Sequence, residues 1–258
     1  MPKIWLGRAV RTVCVALSLA SWFQASAMAE MCERRVFATV GGRVVWRIEI
    51  GSALVYSAGL AIDADGAPTA YHSEDKGLDY LANAGRPGNW WGLVTDNRAP
   101  SGRPIIQKEN DSAPGYYVST TALQDTAKPR TSPARYLDSR TVPYVSVPRP
   151  ILRSTHSDGI RVGDVAAVTY GEGRTAFAIV GDIGPANKLG EGSIALAKIL
   201  GIPSNPRSGG VPSGVAYALF PGSGRGTPLA RHEVIDKGGD LLSRLGGWRK
   251  LGACASEQ

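Results

Sequence analysis

The sequence predicts a mainly β fold with long loops and a few short helices. Three observations carry this. Glycine (32) and proline (17) are abundant among the 258 residues, and both interrupt helices and mark turns. No long stretch repeats apolar residues with the helical period of 3.6. Short runs rich in Val, Ile, Thr and Tyr recur instead, bounded by Gly, Pro, Asn and Asp. With 43% apolar and 20% charged residues, the chain has an ordinary globular composition. It is long enough to bury a core without metal or disulfide staples.

The N-terminus stands outside that fold. Lys3, Arg8 and Arg11 precede an apolar run at 13–20, and Ala25-Ser26-Ala27 and Ala27-Met28-Ala29 both fit a small-x-small cleavage pattern. Residues 1–29 are read as a signal peptide cut after Ala29, the rival being a retained anchor. The run is too short to span a bilayer of roughly 30 Å. The remainder, 30–258, reads as one domain with a core at about 36–228 and a tail at 229–258. A secreted monomer, extracellular or periplasmic and free of the membrane after cleavage, is expected.

The elements follow in order. Alternation at 36–50 around Gly41-Gly42 predicts a hairpin with Val44, Trp46 and Ile48 on one face. A strand follows at 54–62, closed by a turn at Asp63-Ala64-Asp65-Gly66. Residues 71–92 read as irregular, with a short helix near 78–82. The run PGYYVSTTAL at 114–123 reads as a strand. A short strand at 142–147 lies between prolines, which argues for an edge or connector. Strands at 165–170 and 175–180 form a hairpin around Gly171-Glu172-Gly173. The best short helix is 193–200, with Ser193 as N-cap and Gly201 past its end. A last strand is expected at 214–220, before the amphipathic tail.

Charge and cysteines narrow the function classes. Removal of the signal segment lowers 29 Lys and Arg to 26, against 22 Asp and Glu. No basic cluster is interleaved with aromatics, so nucleic-acid binding is not expected. No P-loop, dinucleotide fingerprint or G-x-S-x-G motif is present, and His72, His156 and His232 lack metal-ligand spacing, so no cofactor or metal is expected. Asp63-Ala64-Asp65-Gly66 is an incomplete calcium-loop pattern. Cys32 and Cys254 remain after cleavage. In an oxidising compartment they can pair and tie the chain ends, the alternative being two free thiols.

The most informative stretch is AFAIVGDIGPANKLGEGSIALAKILGI at 176–202. An apolar strand ends at Asp182, a Gly-Pro turn follows, and a loop leads to Glu191 and the helix. Two carboxylates nine residues apart at opposite ends of one loop can face each other across a cleft. Acid–base cleavage of a glycosidic bond needs such a pair. Spacing alone favours the plainer reading, in which Asp182 caps a turn and Glu191 is a solvated loop residue.

The segments AIDAD (61–65), LDYLANAGRPGNWWGLV (78–94), PGYYVSTTAL (114–123) and VGDIGPANKLGEGSIAL (180–196) resemble the fungal-type chitosanases of glycoside hydrolase family 75. The resemblance runs over about 59–222, and its most specific part is GDIGP…GEGS. It implies a secreted catalytic domain that hydrolyses internal β-1,4-glucosamine linkages with inversion. It also implies an essential Asp and an essential Glu, falling on Asp182 and Glu191. The order strand, Asp-x-Gly-Pro, acidic residue, Ser, Ala-rich helix resembles the double-psi β-barrels of expansins, barwin-type proteins and the rare lipoprotein A family. A six-stranded double-psi barrel-like core is therefore expected.

Within the pair, the helix start after Glu191 would lower its pKa and burial of the preceding strand would raise that of Asp182. The longer side chain of Glu191 nevertheless reaches a glycosidic oxygen more easily, so Glu191 is assigned as acid and Asp182 as base. A polysaccharide partner needs acidic and aromatic walls. Asp63, Asp65, Tyr71, Asp79, Trp90 and Trp91 are the candidate substrate-binding residues, with one of Asp63/Asp65 and one of Trp90/Trp91 expected to face the cleft. Glu74, Asp75, Tyr80 and Asp96 lie in the same acidic stretch. The arginine-bearing loops 130–140 and 149–161 are placed on the far side, since a basic groove would not suit a polycation. Two rivals are a hydrolase of another amino-sugar polymer and a non-catalytic wall-binding module.

Overall fold

The computed structural model describes residues 1, 32–152 and 159–256. The expected signal segment (Met1 apart) and His156 lie outside the described residues. The elements in order are β1 (Arg34–Val40), β2 (Arg43–Ile48), β3 (Ala53–Asp63), β4 (Gly85–Arg86), β5 (Asn89–Trp90), β6 (Tyr144–Pro148), β7 (Val165–Tyr170), β8 (Arg174–Gly184), β9 (Glu191–Ser193), the helix α1 (Ile194–Ile199), β10 (Val211–Phe220), and the helices α2 (Arg231–Leu245) and α3 (Gly247–Ala255). Three short 3-10 turns complete the set.

Six strands close into a barrel. Starting at β3, the neighbours run β10, β7, β8, β6 and β9, and β9 returns to β3. The closure is mixed: β6–β8 and β3–β9 are parallel, the other four ladders antiparallel. Closure removes the open edges that a six-stranded sheet would expose. The β1–β2 hairpin extends the sheet from β3. Inside, Leu54, Tyr56, Leu60, Val145, Val180, Leu196, Tyr217 and Leu219 are all nearly inaccessible. Tyr56 and Tyr217 are partners across the β3–β10 ladder and stack with ring centroids 4.7 Å apart, the kind of cross-strand pair that fixes register.

The tail covers the outside of the barrel. Val234, Leu242, Leu245 and Leu251 of α2 and α3 pack on Ile48, Val55, Val165 and Phe220. Each such side chain stabilises by about 1.5–3 kcal/mol when fully buried. Cys254 joins Cys32 in a disulfide with Cα atoms 5.4 Å apart.

Three expectations change. The strand between prolines is β6, and it is no edge: it pairs with β8 on one side and β9 on the other. Its prolines fall at or just beyond the strand ends, where no ladder donor is needed. The run 114–123 forms only single bridges, such as Leu93 with Ser119 and Ile106 with Tyr117. Its Tyr, Val and Thr content reflects extended, half-buried backbone and not a regular strand. The short helix near 78–82 is a 3-10 turn at Leu81–Ala84. By contrast Ser193 caps α1 as expected, its Oγ accepting from Leu196 N at 3.1 Å.

Candidate active site

Three strand ends converge on one mouth of the barrel. Ser146 in β6 is the ladder partner of Asp182 in β8 and also of Glu191 in β9. Directly opposed residues point to the same face of a sheet, so Asp182 and Glu191 flank Ser146 and share its face. Two strand spacings separate their Cα atoms, roughly 9–10 Å. Ala61 of β3 partners Glu191, and Asp63, two residues on, shares that face too.

A bulge aims Asp182. Val145 pairs with Val180, but the next residue, Ser146, pairs with Asp182, so Gly181 is the extra residue on β8. Without the bulge Asp182 would share the face of Val180, which lies in the core. Bulges re-aim side chains in this way beside active sites. Only glycine fits there, because a Cβ on Gly181 would lie 2.6 Å from Tyr144 Cβ. Gly192 is held by the same crossing, its added Cβ falling 2.8 Å from the Tyr144 carbonyl oxygen. Gly184 has another role: a Cβ there would lie 2.6 Å from Glu191 Oε2.

The carboxylates are dressed differently. Asp63 is buried, and its Oδ1 accepts from Asp65 N at 2.8 Å while Oδ2 accepts from Ser146 Oγ at 2.7 Å. Asp65 accepts from the Tyr71 and Ser119 hydroxyls. Asp182 Oδ1 accepts two backbone N–H groups, Ala122 at 2.9 Å and Ile183 at 2.8 Å. Glu191 has no hydrogen-bond donor among the described residues. Asp79 accepts from Asn83 Nδ2 and Tyr80 N.

Carboxylate oxygens of Asp63, Asp65 and Asp182 lie within 4.8 Å of one another. At that distance two negative charges repel by about 3 kcal/mol at an effective dielectric near 20, more than two pKa units. All three titrate high, burial being the largest cause in each. The charge of Asp63 pushes both Asp65 and Asp182 up, and the backbone donors to Asp182 oppose the shift. Burial and then Asp63 raise Glu191 to about 7, against the attraction of Lys188. The helix that follows Glu191 has only six residues, and its dipole does not overcome burial. The same three carboxylates are close enough to share a cation, and the oxygens of Asp63 that accept hydrogen bonds keep a second lone pair each.

Two joined cavities form the cleft. One, about 600 Å³, is lined by Asp63, Asp65, Tyr71, Asp79, Trp91, Asp182, Lys188 and Glu191. Its neighbour, about 410 Å³, shares Asp65, Trp91, Asp182, Ile183 and Gly184 with it. Both sizes suit small-molecule or oligomer sites. Asp63 and Asp65 both line the cleft, which corrects the expectation of one alone: residues two apart at a strand end point to the same face. Trp91 is 59% exposed, with its indole N–H donated to Asn83 O at 2.8 Å. Trp90 is 8% exposed, packs near Tyr117 and does not line the cleft. Adjacent side chains on extended backbone point opposite ways, and the core takes Trp90.

Other acidic residues in that stretch point elsewhere. Glu74 pairs with Lys76 and Asp96 with Arg103 at the surface. Arg207 lies over Tyr80, 4.4 Å from its ring centre, and bonds the carbonyls of Gly77 and Asp79. The placement of the arginine loops is corrected in part. Arg130 and Arg149 line the smaller cavity, because the segments that carry them follow the cleft floor at Gln124 and the end of β6. Sequence reasoning missed Ser146, Tyr144 and Lys188. Ser146 alone had a signal, a polar residue within the apolar run VPYVSVP.

The family model described as fungal chitosanase of glycosyl hydrolase group 75 matches residues 106–238, just over half of the chain. No curated protein matches the chain.

Proposed function

The chain belongs to the fungal chitosanases of glycosyl hydrolase group 75, a family of glycosidases acting on polysaccharide. From that premise we propose that it is a secreted enzyme that cuts internal β-1,4-glucosamine linkages of chitosan with inversion. Glu191 is the general acid and Asp182 the general base. The observation that carries the reading is the ladder position of the two carboxylates, one on each side of Ser146 and facing one cleft. Strand spacing puts their Cα atoms roughly 9–10 Å apart, which leaves room for the carboxyl groups to stand at the roughly 6.5–9.5 Å that inversion needs to admit a water.

The roles follow from the surroundings. Glu191, buried without a donor and raised to about 7, keeps its proton at mildly acidic pH and delivers it to the glycosidic oxygen. Burial and the charge of Asp63 push Asp182 up as well, but unlike Glu191 it carries two backbone N–H bonds that favour the anion, so of the two it is the one fitted to take a proton from the attacking water. As the C–O bond breaks, the ring carbon gains positive character, and the surrounding carboxylates stabilise it. Trp91 offers a flat apolar face to a sugar ring, and the acidic wall attracts glucosamine ammonium groups. The open, two-cavity cleft supports attack within a chain rather than at its end. The basic and apolar segments at 1–29 and the Cys32–Cys254 disulfide support export to an oxidising compartment. The two parallel ladders of the closed barrel support the double-psi type.

Proton NMR of the first products from glucosamine oligomers tests the mechanism. The α-anomer is expected first. Initial release of the β-anomer would mean retention and a nucleophilic carboxylate.

A further inference from the structure

Beyond Asp182 the cleft changes sign. Its smaller cavity is lined there by Gln124, Arg130, Tyr136 and Arg149. Other cationic side chains nearby are already engaged: Arg135 bonds Gln124 Oε1 and Arg140 pairs with Asp138. Among the described residues Arg130 meets the neutral Tyr136, whose hydroxyl also donates to the Arg130 carbonyl at 3.0 Å, and Arg149 has no partner. Neither guanidinium therefore has a carboxylate partner among the described residues, yet both face a cavity continuous with the carboxylates through Trp91 and Asp182.

We propose that the arginine half of the cleft is a subsite for a sugar unit bearing a carboxylate, so that the substrate is a mixed polymer with glucosamine in the acidic half. This rests on the glycosidase reading above and names its substrate class. A polymer of glucosamine alone would bring an ammonium group against two guanidiniums. A guanidinium instead presents a planar fork of N–H donors matched to a carboxylate. Discrimination then comes from attraction of one unit and repulsion of the other. The excess of basic over acidic residues that remains once the signal segment is removed, 26 against 22, suits a less cationic polymer than chitosan.

The test compares kcat/KM of the full chain on soluble chitosan and on carboxymethyl chitosan of matched length, at one ionic strength. The wild type is expected to favour the carboxymethylated polymer by about tenfold or more. Arg130→Glu with Arg149→Glu should reverse that preference, and Arg130→Lys with Arg149→Lys should keep its sign. Arg149→Glu alone, at an exposed position, gives the same ratio if the double variant folds poorly. No preference in the wild type, or a ratio unmoved by charge reversal, overturns this inference and leaves the glycosidase reading intact. A wild type inactive on both polymers removes that reading and this inference with it.

Discussion

Ser146 donates its hydroxyl hydrogen to Asp63 Oδ2 at 2.7 Å, in the middle of the strand that separates Asp182 from Glu191. The bond holds the charge of Asp63 toward the cleft, and that charge is the second cause of the raised pKa of both Asp182 and Glu191. Ser146→Ala removes the donor and leaves a buried carboxylate less satisfied. The expected cost is about 1.5–3 kcal/mol in urea unfolding, together with a shifted pH profile. Unchanged stability and profile would mean that Asp63 does not depend on this bond.

The pH profile of cleavage reads Glu191 directly. The acid works while protonated, so kcat/KM on soluble glucosamine oligomers should fall as pH rises through about 7. The same shift has a stability sign. A carboxyl whose folded pKa exceeds its unfolded value contributes stability fully present below about 4.5 and lost as pH rises through about 7. Glu191→Gln should therefore raise the thermal midpoint at pH 8 and leave it nearly unchanged at pH 4.5, a gain of about 1–3 kcal/mol.

Two glycines of the same motif should fail in different ways. Gly181→Ala drives a Cβ into Tyr144 at the bulge and should destabilise by about 1–3 kcal/mol with loss of activity. Gly184→Ala crowds the tip of Glu191, and its other near neighbour, Ser146 Cβ at 3.6 Å, is at ordinary contact distance. It should keep the unfolding midpoint and lower kcat, because the acid is displaced. Equal loss of stability in the two would contradict the assignment of Gly184 to the catalytic group.

The two adjacent tryptophans divide in the same manner. Trp90→Ala empties a core position and should cost about 3–5 kcal/mol. Trp91→Ala, on an exposed ring lining the cleft, should leave stability within about 0.5 kcal/mol and raise KM. Calorimetric unfolding and initial rates separate the two.

What was legible in the sequence had local causes. The hairpin at Gly171–Gly173, the Ser193 cap and the apolar strands around Asp182 are written in neighbouring residues. The loop from Asp182 to Glu191 made the pair visible. Three things depended on partners far away in sequence. The prolines beside β6 read as an edge because nothing local tells that β8 and β9 close on both sides. The bulge at Gly181 is set by its meeting with Tyr144, and the cluster of Asp63 and Asp65 with Asp182 is set by barrel closure. Arg130 and Arg149 looked like distant loops because charge says nothing of which wall a loop follows. The tail's helices were blurred by Gly238, a poor helix former in mid-helix, whose missing side chain lets α2 approach the ring of Phe177.

The most direct measurement is reducing-end release from soluble, highly deacetylated chitosan by the wild type, Asp182→Asn and Glu191→Gln. The wild type should be active, and each variant should be slower by about 10²–10⁴-fold. An inactive wild type, or either variant cleaving at the wild-type rate, would contradict the assignment of the pair.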